Sequence, residues 1–145
     1  YLVLTLLQRK ELLELPELNG ILAASVYDPT PERLAKRVRA YRQNASIAVF
    51  ACREADIWKG VAVVQRTGSL GTLLDIAVSE KDRKQGIGRF LISGIIKSLA
   101  LTDFYAETDE EAVGFYRSLG FTVTSLGDKY NSGSQRYLCQ KGEEG

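Results

Sequence analysis

The residues with the clearest chemical potential lie between 73 and 90, where the chain reads LLDIAVSEKDRKQGIGRF. Arg83, Lys84 and Arg89 set three cations around Gly86-Ile87-Gly88. The apolar run 73–78 has the size and branching of a buried strand. Past the glycines, Ile87, Phe90, Leu91, Ile95 and Ile96 recur at helical spacing to about residue 100. A strand therefore feeds a glycine-containing turn that opens directly into an amphipathic helix. The start of such a helix leaves backbone N–H groups without intrahelical partners and presents the positive end of the dipole. The natural guest there is a phosphate or pyrophosphate.

Two familiar phosphate loops do not fit. A P-loop needs GxxxxGK followed by Ser or Thr, and no such string occurs. A dinucleotide fingerprint needs a third glycine, but Arg89-Phe90-Leu91 follows Gly88. An ordinary surface loop with two glycines and scattered charge is the competing interpretation, and the strand before and helix after weigh against it. Two further residues stand out. Asp75 is an acid inside an apolar run, and a buried acid needs a partner or a task. Tyr116 lies on a helical stripe with Ala112, Val113 and Leu119 in AVGFYRSLGF, residues 112–121. The stripe alone favours a core aromatic.

The elements that must position these residues follow from periodicity and punctuation. Residues 2–7 read as a strand and 9–24 as helix interrupted at Pro16. Residues 27–30 form a turn, with Thr30 as N-cap and Pro31 at the first position of a helix running to about Gln43. Five basic residues on that helix read as a solvated face. Residues 47–53, 57–66 and 70–78 form an antiparallel meander. The helix from Ile87 then leads to a short strand over 103–107, and a strand–helix–strand unit of this kind is parallel and right-handed. A short helix over 110–119, capped by Thr108 or Asp109, stops at Gly120. Residues 121–126 and 136–140 make a final hairpin, and the polar tail 141–145 frays.

Composition narrows the classes of function. The chain has 145 residues, 45% hydrophobic and 26% charged, which suits one domain over 1–145 with a sizeable core. A formal charge of +1 gives no electrostatic case for nucleic acid. No apolar run approaches the ~20 residues of a membrane helix. The apolar residues 1–7 are short for a secretion signal, and Arg9 and Lys10 follow rather than precede them. Cys52 and Cys139 lie in apolar runs and read as buried free thiols, which suits a cytoplasmic protein. The absence of histidine excludes His-dependent triads and argues against a catalytic zinc or haem site. No metal is expected.

Arg83-Lys84-Gln85-Gly86-Ile87-Gly88 resembles the acyl-coenzyme A signature of the GNAT superfamily of N-acetyltransferases. Residues 112–121 resemble a second hallmark of that family, and the order of elements is similar from end to end. The resemblance implies an α/β (α+β) fold, a mixed central sheet of about seven strands flanked by four helices. It implies acetyl-CoA as acyl donor, held by the turn at Arg83, Lys84, Gln85, Gly86, Ile87, Gly88 and Arg89. Backbone groups of Ile76, Ala77 and Val78 would hold the pantetheine arm in the gap before the next strand, and an N–H near Val78 would polarise the thioester carbonyl. Tyr116 would be the general acid for the departing thiolate, because a thiol of pKa ~8.5 and a phenol of pKa ~10 are close enough for proton transfer. Asp109 stands where the family often has a cofactor-touching Asn. Lys84 stands where it often has Gly, tolerable if φ stays negative.

The amine acceptor must lose a proton, and carboxylates or water remain for that. Asp75 comes first, on the face shared with Leu73 and Ala77 by strict alternation. Glu54 and Asp56, then Glu107 and Asp128, follow. Attack is expected to be direct, since both cysteines sit in strand interiors. The acceptor, a small molecule or a peptide, would lie in a groove formed by the first two helices with their turn at 24–30 and by the final hairpin with Tyr130. A homodimer is expected by analogy. The alternatives are a non-catalytic acyl-CoA-binding sensor or scaffold module of the same fold and, more distantly, a nucleotide-phosphate-binding protein.

Overall fold

The computed structural model describes residues 3–25 and 30–142. The turn expected at 27–30, the start of the first strand and the end of the tail therefore lie wholly or partly outside the described residues. Seven strands form one sheet in the order β1-β2-β3-β4-β5-β7-β6. They are β1 (Thr5–Gln8), β2 (Ile47–Glu54), β3 (Ile57–Thr67), β4 (Leu70–Val78), β5 (Asp103–Asp109), β6 (Thr122–Gly127) and β7 (Arg136–Gly142). Neighbours run antiparallel except β4 and β5. Four α-helices cover the sheet: α1 (Pro16–Ala23), α2 (Pro31–Gln43), α3 (Ile87–Ser98) and α4 (Val113–Ser118). This is the mixed sheet and helix count expected from the sequence.

Local signals explain most boundaries. Pro16 opens α1 after a single 3-10 segment, Lys10–Glu14, so the expected interruption separates two elements. Thr30 caps α2, its hydroxyl accepting from the Arg33 N–H at 3.2 Å. Gly120 closes α4 at φ 86, where a side chain would be strained. The α4 start differs from expectation. Thr108 is buried within β5, which runs on to Asp109, and the helix begins only at Val113. Asp109 accepts from the Ala112 N–H at 3.0 Å, so a side chain bridges the turn between strand and helix.

Both faces of the sheet are buried, as the alternation along β3 requires. Val61 and Val63 point to the side of α1 and α2, packed with Leu13, Leu18, Leu22 and Val49. Ala62 and Val64 point to the side of α3 and α4, packed with Phe50, Ile92, Ile95 and Phe104. Each fully buried aliphatic side chain of this kind contributes about 1.5–3 kcal/mol. Cys52 and Cys139 are free and buried, as expected. No helix among the described residues is long and apolar enough to cross a membrane, and none of their acidic, Cys or His groups cluster to hold a metal ion.

Candidate active site

The parallel pair β4–β5 is registered only over Leu70–Asp103, Gly71–Phe104 and Thr72–Tyr105. Beyond Thr72 the two strands part. Residues 73–78 keep β3 on one side, and among the described residues no strand pairs with them on the other. The groups of that free edge face a cleft made of two joined cavities. The larger, about 710 Å³, runs from Ile76, Ala77 and Val78 over the α3 start to α4. The smaller, about 410 Å³, lies deeper in the gap, lined by Leu73, Asp75, Glu107, Thr108, Asp109 and Arg136 among others. Ser25, Ile76, Glu111, Ala112 and Tyr116 border both.

The mouth of α3 is open. Gly86 precedes the helix at φ 83, and no side chain caps the helix. A Cβ on Gly86 would meet nothing within 4 Å. The first intrahelical bond runs from the Phe90 N–H to Gly86 O at 3.0 Å, which leaves the amides before it to a guest. Arg83, Lys84, Gly86, Ile87, Gly88 and Arg89 line the larger cavity; Gln85 is exposed and lines neither. The Phe115 ring lies over Gly88, where a Cβ would come within 2.9 Å of its tip, so a side chain there would have to push the ring aside. Lys84 departs from expectation. Its φ is 65, in the left-handed region, because the chain must reverse between β4 and α3 within a few residues. A non-glycine residue there costs roughly 1–2 kcal/mol.

Tyr116 stands where the cavities meet. Its ring is 5% exposed, edge-on to Phe115 at 5.1 Å and to Phe121 at 5.4 Å. The hydroxyl makes no hydrogen bond among the described residues. Burial, and then the nearby Cys139 and Asp109, push the phenol above its ordinary value. The thiols are raised too, Cys52 to about 12, chiefly by burial. Neither is set up as a nucleophile.

Asp75 is aimed by a bulge. Val63 pairs with Asp75 and Val64 with Leu73, so Leu74 is an extra residue in β4. The bulge breaks strict alternation. Asp75 and Ala77 face α1 and α2, whereas Leu73 packs on the α3 side, which corrects the face expected for Leu73. The Asp75 carboxylate accepts from Arg37 Nη1 at 3.2 and 3.3 Å, from Ser25 Oγ at 3.3 Å, and from the Tyr41 hydroxyl. Burial and then this carboxylate push the Tyr41 phenol up to about 12.

The other carboxylates are engaged differently. Glu107 accepts from Lys129 Nζ and the Tyr130 hydroxyl, each at 2.7 Å, and from Arg136 at 3.2 Å. The final hairpin is thereby tied to the cavity wall. Asp128 folds its own loop, accepting from the Ser132 and Gly133 amides at 2.8 Å. Asp56 is exposed in the β2–β3 turn, and Glu54 lies 3.8 Å from Lys59. Ser25, Arg37, Tyr41 and Arg136 lie on the elements expected to form the acceptor groove, but none of them, nor Glu111, stood out in the sequence as a site residue. No spacing rule links them, because they meet only through tertiary packing.

Comparison with known proteins places the chain in a family. The model of the acetyltransferase (GNAT) domain matches residues 43–123, more than half of the chain. No match is found among curated proteins. An aminoglycoside 6'-N-acetyltransferase complexed with coenzyme A is 17% identical, with TM-score 0.78 over 97% of this chain and 96% of that one. A ribosomal-protein alanine N-acetyltransferase from Escherichia coli is 21% identical, with TM-score 0.74 over 99% and 96%. A GNAT family acetyltransferase from Elizabethkingia anophelis with acetyl-CoA bound is 18% identical, with TM-score 0.69 over 96% and 97%. At such identities the structures speak for the fold, and the domain match speaks for descent: the chain belongs to the GNAT acetyltransferase family.

Proposed function

We propose that the protein transfers an acetyl group from acetyl-CoA to a primary amine on a small molecule or a peptide, by direct attack. The observation that carries this reading is the continuity of the cleft. The open start of α3, the free edge of β4 and the Tyr116 hydroxyl border one channel. The residues fit the donor. Amides at Gly86–Arg89, with Arg83, Lys84 and Arg89 beside them, suit a diphosphate. The free edge at Ile76–Val78 suits the amide-bearing pantetheine arm, as an added strand would pair there. An N–H near Val78 polarises the thioester carbonyl, and a donor of that kind is typically worth ~100-fold or more in rate.

Tyr116 gives its proton to the sulfur as the C–S bond breaks. A hydroxyl free of other partners among the described residues, at the junction of the cavities, supports that role. The amine sits in the smaller cavity, walled by Ser25, Asp75, Glu107 and Arg136. Its nitrogen attacks the carbonyl carbon, and its surplus proton leaves on the acceptor side. Asp75, whose oxygens all have partners, better holds α2 and Ser25 in place than collects that proton. The exposed Glu111, at the border of both cavities, is the freer acceptor.

Release of free thiol from acetyl-CoA across a panel of amines and peptides tests the reading. Turnover with at least one amine, lost in Tyr116→Phe by roughly 100-fold in kcat, is expected. Tight CoA binding without turnover on any acceptor would favour the sensor alternative.

A further inference from the structure

Outside the cleft, two charged side chains lie in the interior. Lys59 is 7% exposed and Asp82 5%. Lys59 sits in β3, just before the apolar run Val61–Val64. Asp82 ends the short 3-10 turn Glu80–Asp82, immediately before Arg83. Lys59 Nζ donates to Asp82 Oδ1 at 2.9 Å. The backbone closes the same joint, with the Ser79 N–H donating to Lys59 O at 2.8 Å and the Asp82 N–H to Ser79 O at 2.9 Å. Asp82 Oδ2 is buried with no hydrogen-bond partner among the described residues.

Stability does not account for this pair. Apolar residues of similar volume are often as stable as a buried ion pair or more so, and an unpaired buried oxygen adds a cost of its own. The location offers a reason. Arg83, Lys84 and Gln85 are exposed and make no hydrogen bond among the described residues. Lys84 and Gly86 both hold positive φ. The turn is therefore fixed only at its ends. One end is α3, seated by the buried Ile87. The other is Asp82, moored to the central strand by Lys59.

We propose that the Lys59–Asp82 pair is a positioning device for the anion-binding turn, setting affinity for the donor's diphosphate without touching it. This rests on the acyl-CoA reading of the cleft. The test uses the full chain with Asp82→Asn, which keeps the side-chain shape, and the double variant Lys59→Met with Asp82→Leu. Each is assayed with acetyl-CoA and with acetyl-pantetheine, a thioester lacking the diphosphate, alongside thermal melting and CoA titration. The double variant should melt at or above wild type. Its KM for acetyl-CoA should rise on the order of tenfold, with kcat/KM for acetyl-pantetheine held within about twofold. Asp82→Asn should shift in the same sense and decides the matter should the double variant not fold. An unchanged acetyl-CoA KM in both variants, or equal losses with both donors, would overturn the proposal. A wild-type protein that shows no CoA binding overturns the reading of the cleft itself, and with it the proposal.

Discussion

Tyr116 combines a buried ring with a hydroxyl that has no hydrogen-bond partner among the described residues, and the first does not require the second. Because burial raises its pKa, the phenol keeps its proton through neutral and mildly alkaline pH. The sign follows: the acid form is lost only above the ordinary phenol value of about 10. A pH–rate profile for kcat should therefore show no alkaline fall below about pH 10 from this group. A fall near pH 8 that vanishes in Tyr116→Phe would contradict the upward shift, and a fall below pH 10 that persists in Tyr116→Phe belongs to another group. Asp75 makes a second prediction. If it positions the wall, Asp75→Asn, which can still accept from Tyr41 and Ser25, should lower kcat less than about tenfold. Removing a general base would typically cost 100-fold or more. The turn supplies a third. Gly86→Ala meets no atom, so its penalty is purely conformational at φ 83. It should destabilise by about 1–2 kcal/mol in a melting experiment. The residue types of the turn were legible in the sequence, because charge and glycine are written locally. The φ of Lys84 was not, because it depends on how far β4 and α3 stand apart once both are packed.

At the scale of elements, the site depends on β4 and β5 being joined at one end and apart at the other. Gly71 sits at the joined end, where a Cβ would come 2.6 Å from Leu101 and 3.2 Å from Phe104. Gly71→Ala should therefore cost about 1–3 kcal/mol by overpacking, measured by denaturant unfolding. It should also lower acetyl-CoA affinity if the splay is set from this end. Strand and helix identities were legible because 87–98 carries the 3.6 period, whereas 57–67 holds a short, valine-rich apolar run bounded by turn residues. The bulge at Leu74 was not. Two leucines precede Asp75, and which of them is extra is decided by register against Val63 and Val64. Lys59 and Asp82 were invisible for a similar reason: 23 residues apart, they meet only when β3 and the post-β4 turn are both in place. The start of α4 was misread because Thr108 and Asp109 both suit a cap, and β5 pairing with β7 claims Thr108 for the strand.

At the scale of the molecule, one sheet buried on both faces opens a cleft where its single parallel pair diverges. Covered faces make the scaffold rigid, and the free edge of β4 supplies the polar groups that a core could not leave unmet. The same geometry explains why the residues proposed to hold the cofactor cluster in sequence while those proposed for the acceptor scatter. A helix mouth is a local structure, whereas the smaller cavity, proposed for the acceptor, draws on Ser25 after α1, on β4 and β5, and on Arg136 of β7. The account stands or falls on where coenzyme A binds. The most direct measurement is a structure of the protein crystallised with CoA. The account predicts the diphosphate within hydrogen-bonding distance of the Gly86–Arg89 amides, the pantetheine arm along residues 76–78, and the sulfur facing the Tyr116 hydroxyl. A diphosphate bound away from the start of α3, or a sulfur on the far side of the sheet from Tyr116, would contradict it.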